Sequence, residues 1–154
     1  MSLLAGLAFC PLFIWTDKLI AFAFLLLHVL LDGLDGPLAR FQGTSSNKGS
    51  FTDTMVDQIV VTVTAITMIQ AQHAGIWPGS LYIFFYAIVV VFAFVRNALD
   101  SPYSWLFRPR FIVFGWFIID TYWWEGSLDW VLSIAASILA LKALTGFFSI
   151  RKRI

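Results

Sequence analysis

Charged residues and cysteine are scarce in this 154-residue chain. Only 12% of the residues are charged and 60% are hydrophobic, whereas a soluble domain carries about 25% charged residues. One soluble core cannot bury that much apolar surface, so the composition excludes an ordinary water-soluble enzyme. The net charge of +1 provides no basic face for nucleic acid, which we exclude as a partner. A single cysteine, Cys10, excludes an internal disulfide.

Long apolar runs, in contrast, are abundant. A bilayer core of about 30 Å requires roughly 20 apolar residues per helix. The six candidate spans are Ser2–Trp15, Leu19–Leu38, Phe51–Gln70, Ser80–Ala98, Phe111–Trp124 and Leu128–Phe148. We therefore predict an all-α fold, an integral membrane bundle of six transmembrane helices that forms one domain over residues 1–154.

Basic residues are distributed unequally over the two sides of this bundle. Seven fall on one side, and these are Arg40, Lys48, Arg108, Arg110, Arg151, Lys152 and Arg153. The other side has only Lys18, together with an aromatic belt of Trp15, Trp77, Trp123, Trp124 and Trp130. Because basic loops stay in the cytoplasm, we predict a multi-pass protein with both termini cytoplasmic.

Acidic residues stand where a membrane helix tolerates them least. Span two ends with Asp32 and Asp35, and span three begins with Asp53 and Asp57. Members of a pair three or four residues apart share one helical face. Since the two spans are antiparallel neighbours, we expect the four carboxylates to meet near the cytoplasmic boundary. Such acids resist ionisation unless a cation is bound, and oxygen ligands without His or Cys favour Mg²⁺, Mn²⁺ or Ca²⁺ over zinc.

Small residues and an arginine lie within and after the first acidic pair. Gly33, Gly36 and Ala39 leave room for a ligand against the helix, and Arg40 provides a fork for phosphate. Mg²⁺ held by a few carboxylates takes its remaining ligands from substrate phosphates. The residues therefore indicate metal-assisted chemistry on a phosphorylated substrate at the inner face of a membrane.

The spacing of these residues resembles the signature of the CDP-alcohol phosphotransferase (CDP-alcohol phosphatidyltransferase) family. All eight fixed positions are present, as Asp32-x2-Asp35-Gly36-x2-Ala39-Arg40-x8-Gly49-x3-Asp53-x3-Asp57. Members transfer a phosphoalcohol group from a CDP-linked donor to an acceptor hydroxyl and release CMP in phospholipid synthesis. The resemblance implies a Mg²⁺- or Mn²⁺-dependent transferase with one or two ions, an active site at the cytoplasmic face, and CDP-diacylglycerol as the expected donor.

The resemblance also implies roles for the four acids. Asp32, Asp35 and Asp53 would hold one metal ion, and Asp32, Asp53 and Asp57 a second. Asp57 would in addition be the general base that takes the proton of the attacking hydroxyl.

Substrate-binding roles follow in the same way. Gly36, Arg40 and Ser46 would contact the CDP part of the donor, and the fixed positions Ala39 and Gly49 would be substrate-binding residues as well.

Two arginines outside the signature are candidates for acceptor binding. Arg96 and Arg110 would form a basic pocket for an acceptor that carries a phosphate, although anchoring at the inner boundary explains them equally well. We expect His28 to be buried and hydrogen-bonded, Lys142 to extend its amine toward water, and Asp120 to be exposed or paired without a catalytic role.

The resemblance is incomplete at the N-terminal end. Family members carry an amphipathic surface helix and a longer first span, for which Met1–Trp15 offers no counterpart, so we expect that helix to be absent. This keeps open a second hypothesis, a non-catalytic or lipid-binding structural subunit of a membrane complex with the same fold. An ion transporter would spread its acids over the membrane depth, whereas here they cluster at one boundary. Expected partners are the CDP-linked lipid donor, the alcohol acceptor, membrane lipids, and either a second copy in a homodimer or the subunits of a larger complex.

Overall fold

Six helices build the described part of the chain. The computed structural model describes residues 2–43, 47–100, 103 and 108–153, with the backbone alone for residues 35, 36, 39, 40, 47 and 48. The helices are α1 (Ser2–Trp15), α2 (Lys18–Phe41), α3 (Asn47–Gln70), α4 (Ile76–Ala98), α5 (Arg110–Tyr122) and α6 (Leu128–Arg151). Each covers most of one predicted span, and the described residues contain no strand, so the all-α prediction is confirmed.

Three of these helices are long and apolar enough to cross a membrane. They comprise residues Gly49–Gln70 of α3 and the whole of α4 and α6. The five tryptophans of the predicted aromatic belt stand at or just beyond helix ends and are all exposed: Trp15, Trp77, Trp123, Trp124 and Trp130. The chain is accordingly a membrane protein, whereas six spans and cytoplasmic termini stay predictions.

Contacts divide the chain into two compact units, Met1–Thr67 and Met68–Ile154. The single domain proposed from the sequence stays a prediction. Within the first unit, α2 ends where Gly43 takes a φ of +65°. That left-handed conformation is cheap only for a residue without a Cβ, so it stops the helix there.

An aromatic cluster joins α1 to α2 in the first unit. The rings of Phe9, Phe13 and Phe22 lie 5.4–6.0 Å apart between centroids, and all three side chains are buried. Gly6 brings α1 against α3, because a Cβ at this position would lie 2.5 Å from a methyl group of Val60. Ring packing thus joins α1 to α2, and the close approach at Gly6 joins α1 to α3.

Side-chain hydrogen bonds at the helix ends tie the second unit together. Asp120 near the end of α5 accepts the backbone N–H of Leu128 at 3.0 Å, which fixes the start of α6. Asp129 in the first turn of α6 accepts the N–H of Gly75, just before α4, at 2.7 Å. Acceptors placed there satisfy donors that a helix N-terminus otherwise leaves unpaired.

Candidate metal and substrate site

Three carboxylates of the signature converge in the first unit. Asp32 on α2 and Asp53 and Asp57 on α3 each present one oxygen, and these three oxygens lie within 4.8 Å of one another. Oxygens on opposite sides of a Mg²⁺ ion are about 4.2 Å apart, and those around Ca²⁺ about 5 Å apart. The spacing therefore matches that of oxygen ligands around a single hard cation.

The surroundings of the three acids differ in exposure. Asp32 is only 7% exposed, whereas Asp53 and Asp57 are half-buried. At the next residue, an added Cβ at Gly33 would meet nothing within 4 Å, so α2 is open at that position. Gathering acids away from water disfavours their ionised forms unless a cation compensates them. The cluster thus combines a buried acid with two acids that a ligand can reach.

Two threonines of α3 direct their hydroxyl groups to carbonyls of their own helix. Thr54 donates to the Ser50 carbonyl at 2.9 Å, and Thr62 donates to the Gln58 carbonyl at 2.8 Å. Hydroxyl groups satisfied in this way compete little for ligands. The carboxylates at positions 53 and 57, one turn apart, are the acids that α3 contributes to the cluster.

Several predicted site residues lie outside the described side chains. Asp35, Gly36, Ala39 and Arg40 belong to the backbone of α2, but their side chains are outside the described residues, as is the whole of Ser46. Gly49 lies in the first turn of α3, where it is exposed. The roles of these positions in binding metal or donor stay predictions.

His28 lies one turn before Asp32 on α2 and is 1% exposed. Its Nδ1 lies 2.8 Å from the hydroxyl oxygen of Ser2 and 3.1 Å from the Ser2 carbonyl oxygen. The prediction of a buried, hydrogen-bonded histidine is confirmed. Through this contact with His28, the first turn of α1 packs against the part of α2 that carries Asp32.

Gln58 is a polar residue of the site region that the sequence analysis missed. It follows Asp57 directly, and its Nε2 donates to Thr62 at 3.1 Å. Its Oε1 is buried and has no hydrogen-bond partner among the described residues. The sequence signal for Gln58 was an amide side chain next to a signature acid inside an apolar helix, where burying a polar atom costs free energy.

The two acceptor candidates belong to the second unit and pack on aromatic rings. The Arg110 guanidinium is buried, 4.7 Å from the centroid of Phe111. The guanidinium of Arg96, a half-buried residue, lies 4.1 Å from the centroid of Tyr103. Burial raises the pKa of the Tyr103 phenol, and Arg96 opposes this rise. Acceptor binding by the two arginines stays a prediction.

Two charged groups of the second unit, Lys142 and Asp120, are buried. Lys142 is 8% exposed, and its Nζ lies 5.0 Å from the Tyr103 centroid. The expectation that its amine reaches water was wrong, because an aromatic ring covers it. Asp120 is 1% exposed and its Oδ2 lies 2.8 Å from His73 Nδ1, so of the two alternatives for this acid the paired one is confirmed.

Comparison with known proteins agrees with the signature. CDP-diacylglycerol--serine O-phosphatidyltransferases from Mycobacterium bovis and from two strains of Mycobacterium tuberculosis, CDC 1551 and H37Rv, are 31% identical to this chain over 103 residues. That stretch is 66% of this chain but only 36% of each relative. A family model described as CDP-alcohol phosphatidyltransferase matches residues 1–147. With nearly its whole length matched, the chain belongs to the CDP-alcohol phosphatidyltransferase family.

Proposed function

We propose that this chain is a multi-pass membrane transferase that moves a phosphatidyl group from CDP-diacylglycerol to an acceptor hydroxyl and releases CMP at the cytoplasmic face. The observation that carries this proposal is the approach of Asp32, Asp53 and Asp57 to within 4.8 Å. The family match and the complete signature support it. Acids drawn together near the end of an apolar helix are costly unless they bind something.

A divalent cation fits this set of donors. The three acids offer only oxygen, and no histidine or cysteine belongs to the cluster found among the described residues, a chemistry that suits Mg²⁺ or Mn²⁺ better than zinc. We propose Asp32, Asp53 and Asp57 as ligands, with Asp35 as a fourth. When bound, one or two ions neutralise the diphosphate of the donor and the charge that develops on departing CMP.

The protein's own contribution to the chemical step is the removal of a proton. The half-buried Asp57 carboxylate accepts the proton of the acceptor hydroxyl. The hydroxyl oxygen forms a bond to the phosphorus that carries the lipid. The bond from that phosphorus to the bridging oxygen breaks, and CMP leaves with the electron pair. Asp32, which is more deeply buried, holds its position and takes no part in this proton transfer.

The donor binds along the end of α2 and the segment between the two acidic pairs. The open side of α2 at Gly33 provides space for the donor, and we propose contacts from Gly36, Arg40 and Ser46 to its CDP part. A guanidinium binds phosphate oxygens through two parallel hydrogen bonds, which fixes orientation as well as charge. Arg96 and Arg110 are proposed for the acceptor, whose identity an acceptor panel must establish.

The direct test is release of CMP by the purified chain in detergent. CDP-diacylglycerol and Mn²⁺ are supplied with serine, inositol, glycerol phosphate or inositol phosphate, and CMP is quantified by chromatography. We expect release with one acceptor, loss of release with EDTA, and loss in Asp57→Asn. Glu125→Gln, which neutralises an exposed acid of the second unit, is the matched control. No CMP with any acceptor, or equal rates in Asp57→Asn and the parent, would sink the proposal.

A further inference from the structure

Three helices of the first unit meet one turn away from the acidic cluster. His28 precedes Asp32 by four residues on α2, so their side chains are neighbours on one face of this helix. On α1, a Cβ at Gly6 would lie 3.3 Å from the His28 ring and 2.5 Å from a methyl group of Val60. Val60 follows Asp57 by three residues on α3, which again places it one turn from the cluster. The junction of the three helices therefore adjoins the acids.

A polar contact fastens α1 to α2 at this junction. His28 Nδ1 lies 2.8 Å from the hydroxyl oxygen of Ser2 and 3.1 Å from its carbonyl oxygen, and both residues are buried. Because a carbonyl oxygen can only accept a hydrogen bond, a proton on Nδ1 accounts for this geometry. The His28 ring therefore donates to the first turn of α1.

Elsewhere, apolar side chains form the contact between α1 and α2. Rings of the aromatic cluster pack across it, and Leu25 is buried on the same face of α2 as His28. Apolar burial has no preferred direction, so it permits one helix to slide or rotate against the other. A buried polar pair is satisfied in one register only, because a slip leaves both groups unpaired. The contact between Ser2 and His28 thus sets the register of α1 against α2.

The register is important because the acids cannot hold one another in place. The three carboxylate oxygens of the cluster lie within 4.8 Å of one another, and carboxylates at this separation repel. Packing of the helices that carry them must therefore maintain their approach. Metal ligands need to be held within about 0.5 Å of the binding geometry by surrounding contacts.

We propose that His28 is a positioning residue for the metal site. Its hydrogen bond to α1 fixes the register of α2 and thereby holds the Asp32 carboxylate toward Asp53 and Asp57. The role rests on the proposed binding of a divalent cation by these acids, and it is the same for any donor or acceptor. His28 itself contacts neither the metal nor the substrate and exchanges no proton in the reaction.

The test measures the Mn²⁺ affinity of the full chain in detergent, from the electron paramagnetic resonance signal of free Mn²⁺. His28→Phe keeps a ring at this position but cannot donate to Ser2. Its Mn²⁺ affinity should fall about 10–100-fold, the usual loss when a group that orients a metal ligand is removed. His28→Asn should retain most of the affinity, because its amide nitrogen can replace Nδ1 as the donor. Ser2→Ala should lose less than His28→Phe, since the carbonyl acceptor remains.

Leu25→Ala is the matched control for lost packing, because this buried side chain lies on the same face of α2 but seven residues from Asp32. It should lower the Tm in EDTA at least as much as His28→Phe does and leave the Mn²⁺ affinity unchanged. Should His28→Phe not fold, Ser2→Ala is compared with Leu25→Ala instead, and it should bind Mn²⁺ more weakly than this control.

The proposal is overturned if the parent binds no Mn²⁺, or if His28→Phe or its replacement binds Mn²⁺ as tightly as the parent. It is also overturned if Leu25→Ala loses as much affinity as His28→Phe, or if His28→Asn does. A parent that binds Mn²⁺ with this order of variants but releases no CMP would instead contradict the transferase and support the positioning role.

Discussion

Two buried acids, Asp32 in the first unit and Asp120 in the second, differ in the neighbours that the structure describes. Asp120 is held by donors, with His73 Nδ1 at 2.8 Å and the Leu128 N–H at 3.0 Å. Asp32 instead has the carboxylates of Asp53 and Asp57 within 4.8 Å. Burial alone therefore does not distinguish a structural acid from a functional one. The charge of the neighbours does, because donors compensate an acid within the protein, whereas further acids create a demand for a cation.

The network around Asp120 joins the ends of several elements, which favours a structural role for this acid. Ser127 lies 3.4 Å from Asp120 Oδ1 and accepts the indole N–H of Trp116 at 2.9 Å. The His73 ring packs edge-on against Phe117 at 5.4 Å. These bonds connect α5 to the start of α6 and to the segment before α4, so their loss should be felt in stability and leave the chemistry of the acidic cluster untouched.

The largest difference between substitutions in the two units should be in the rate of CMP release. Asp57→Asn should lower the rate of CMP release by about 10²–10⁴-fold, the usual contribution of a general base, while largely sparing metal affinity. Asp32→Asn should weaken both, because Asp32 is proposed as a ligand of both ions and Asp57 as a ligand of only one. Metal affinity is measured from the electron paramagnetic resonance signal of free Mn²⁺. Equal Mn²⁺ affinity in the parent and both variants would contradict the assignment of the acids.

Without metal, the free energy of unfolding should fall more when Asp120 is substituted than when Asp32 is substituted. Asp120→Asn should cost about 3 kcal/mol of unfolding free energy, because it leaves His73 and buried donors without a charged partner. Asp32→Asn should cost little or even stabilise, since it removes like-charge repulsion. Denaturant unfolding in detergent with EDTA measures both, and Glu125→Gln reports the effect of neutralising an exposed acid. A larger loss in Asp32→Asn than in Asp120→Asn would reverse the comparison.

Added metal should stabilise the protein only through the carboxylates of the first unit. At a Mn²⁺ concentration of about 100 times its Kd, binding to the native state contributes about 2.7 kcal/mol. The parent and Asp120→Asn should gain this stabilisation, whereas Asp32→Asn should lose most of it. The rise of the Tm between EDTA and Mn²⁺ measures the gain. An equal rise in all three proteins would place the metal elsewhere.

The sequence predicted local features well because they depend on local patterns. Apolar runs located all six helices, since hydropathy over some 20 residues is a property of consecutive positions. The acids of span three were expected on one face from their spacing of four residues, and the structure places that face against Asp32. His28 was expected to be buried and hydrogen-bonded, and the structure places its Nδ1 2.8 Å from the Ser2 hydroxyl oxygen.

Contacts between distant segments could not be predicted in this way. His73 and Asp120 lie 47 residues apart, and each sits near a polar helix end where exposure was equally plausible. Tyr103 meets Lys142 from the stretch between α4 and α5, so nothing in the periodicity of α6 indicated that a ring would cover the amine. Tertiary packing decides such partners, and a single sequence carries no signal for them.

The smallest effects should come from two glycines of the first unit with opposite surroundings. Gly6→Ala should destabilise by about 1–3 kcal/mol, because the new methyl group would lie 2.5 Å from Val60 and overpack the contact of α1 with α3. Gly33→Ala should leave stability unchanged or raise it by up to about 1 kcal/mol, since its methyl group enters open space and alanine favours the helix. Thermal unfolding in detergent measures both changes. If the donor binds at the open side of α2, Gly33→Ala should also raise the KM for CDP-diacylglycerol and leave kcat unchanged. An unchanged KM would show that Gly33 does not contact the donor. The acidic cluster would then be the part of the site that this comparison supports.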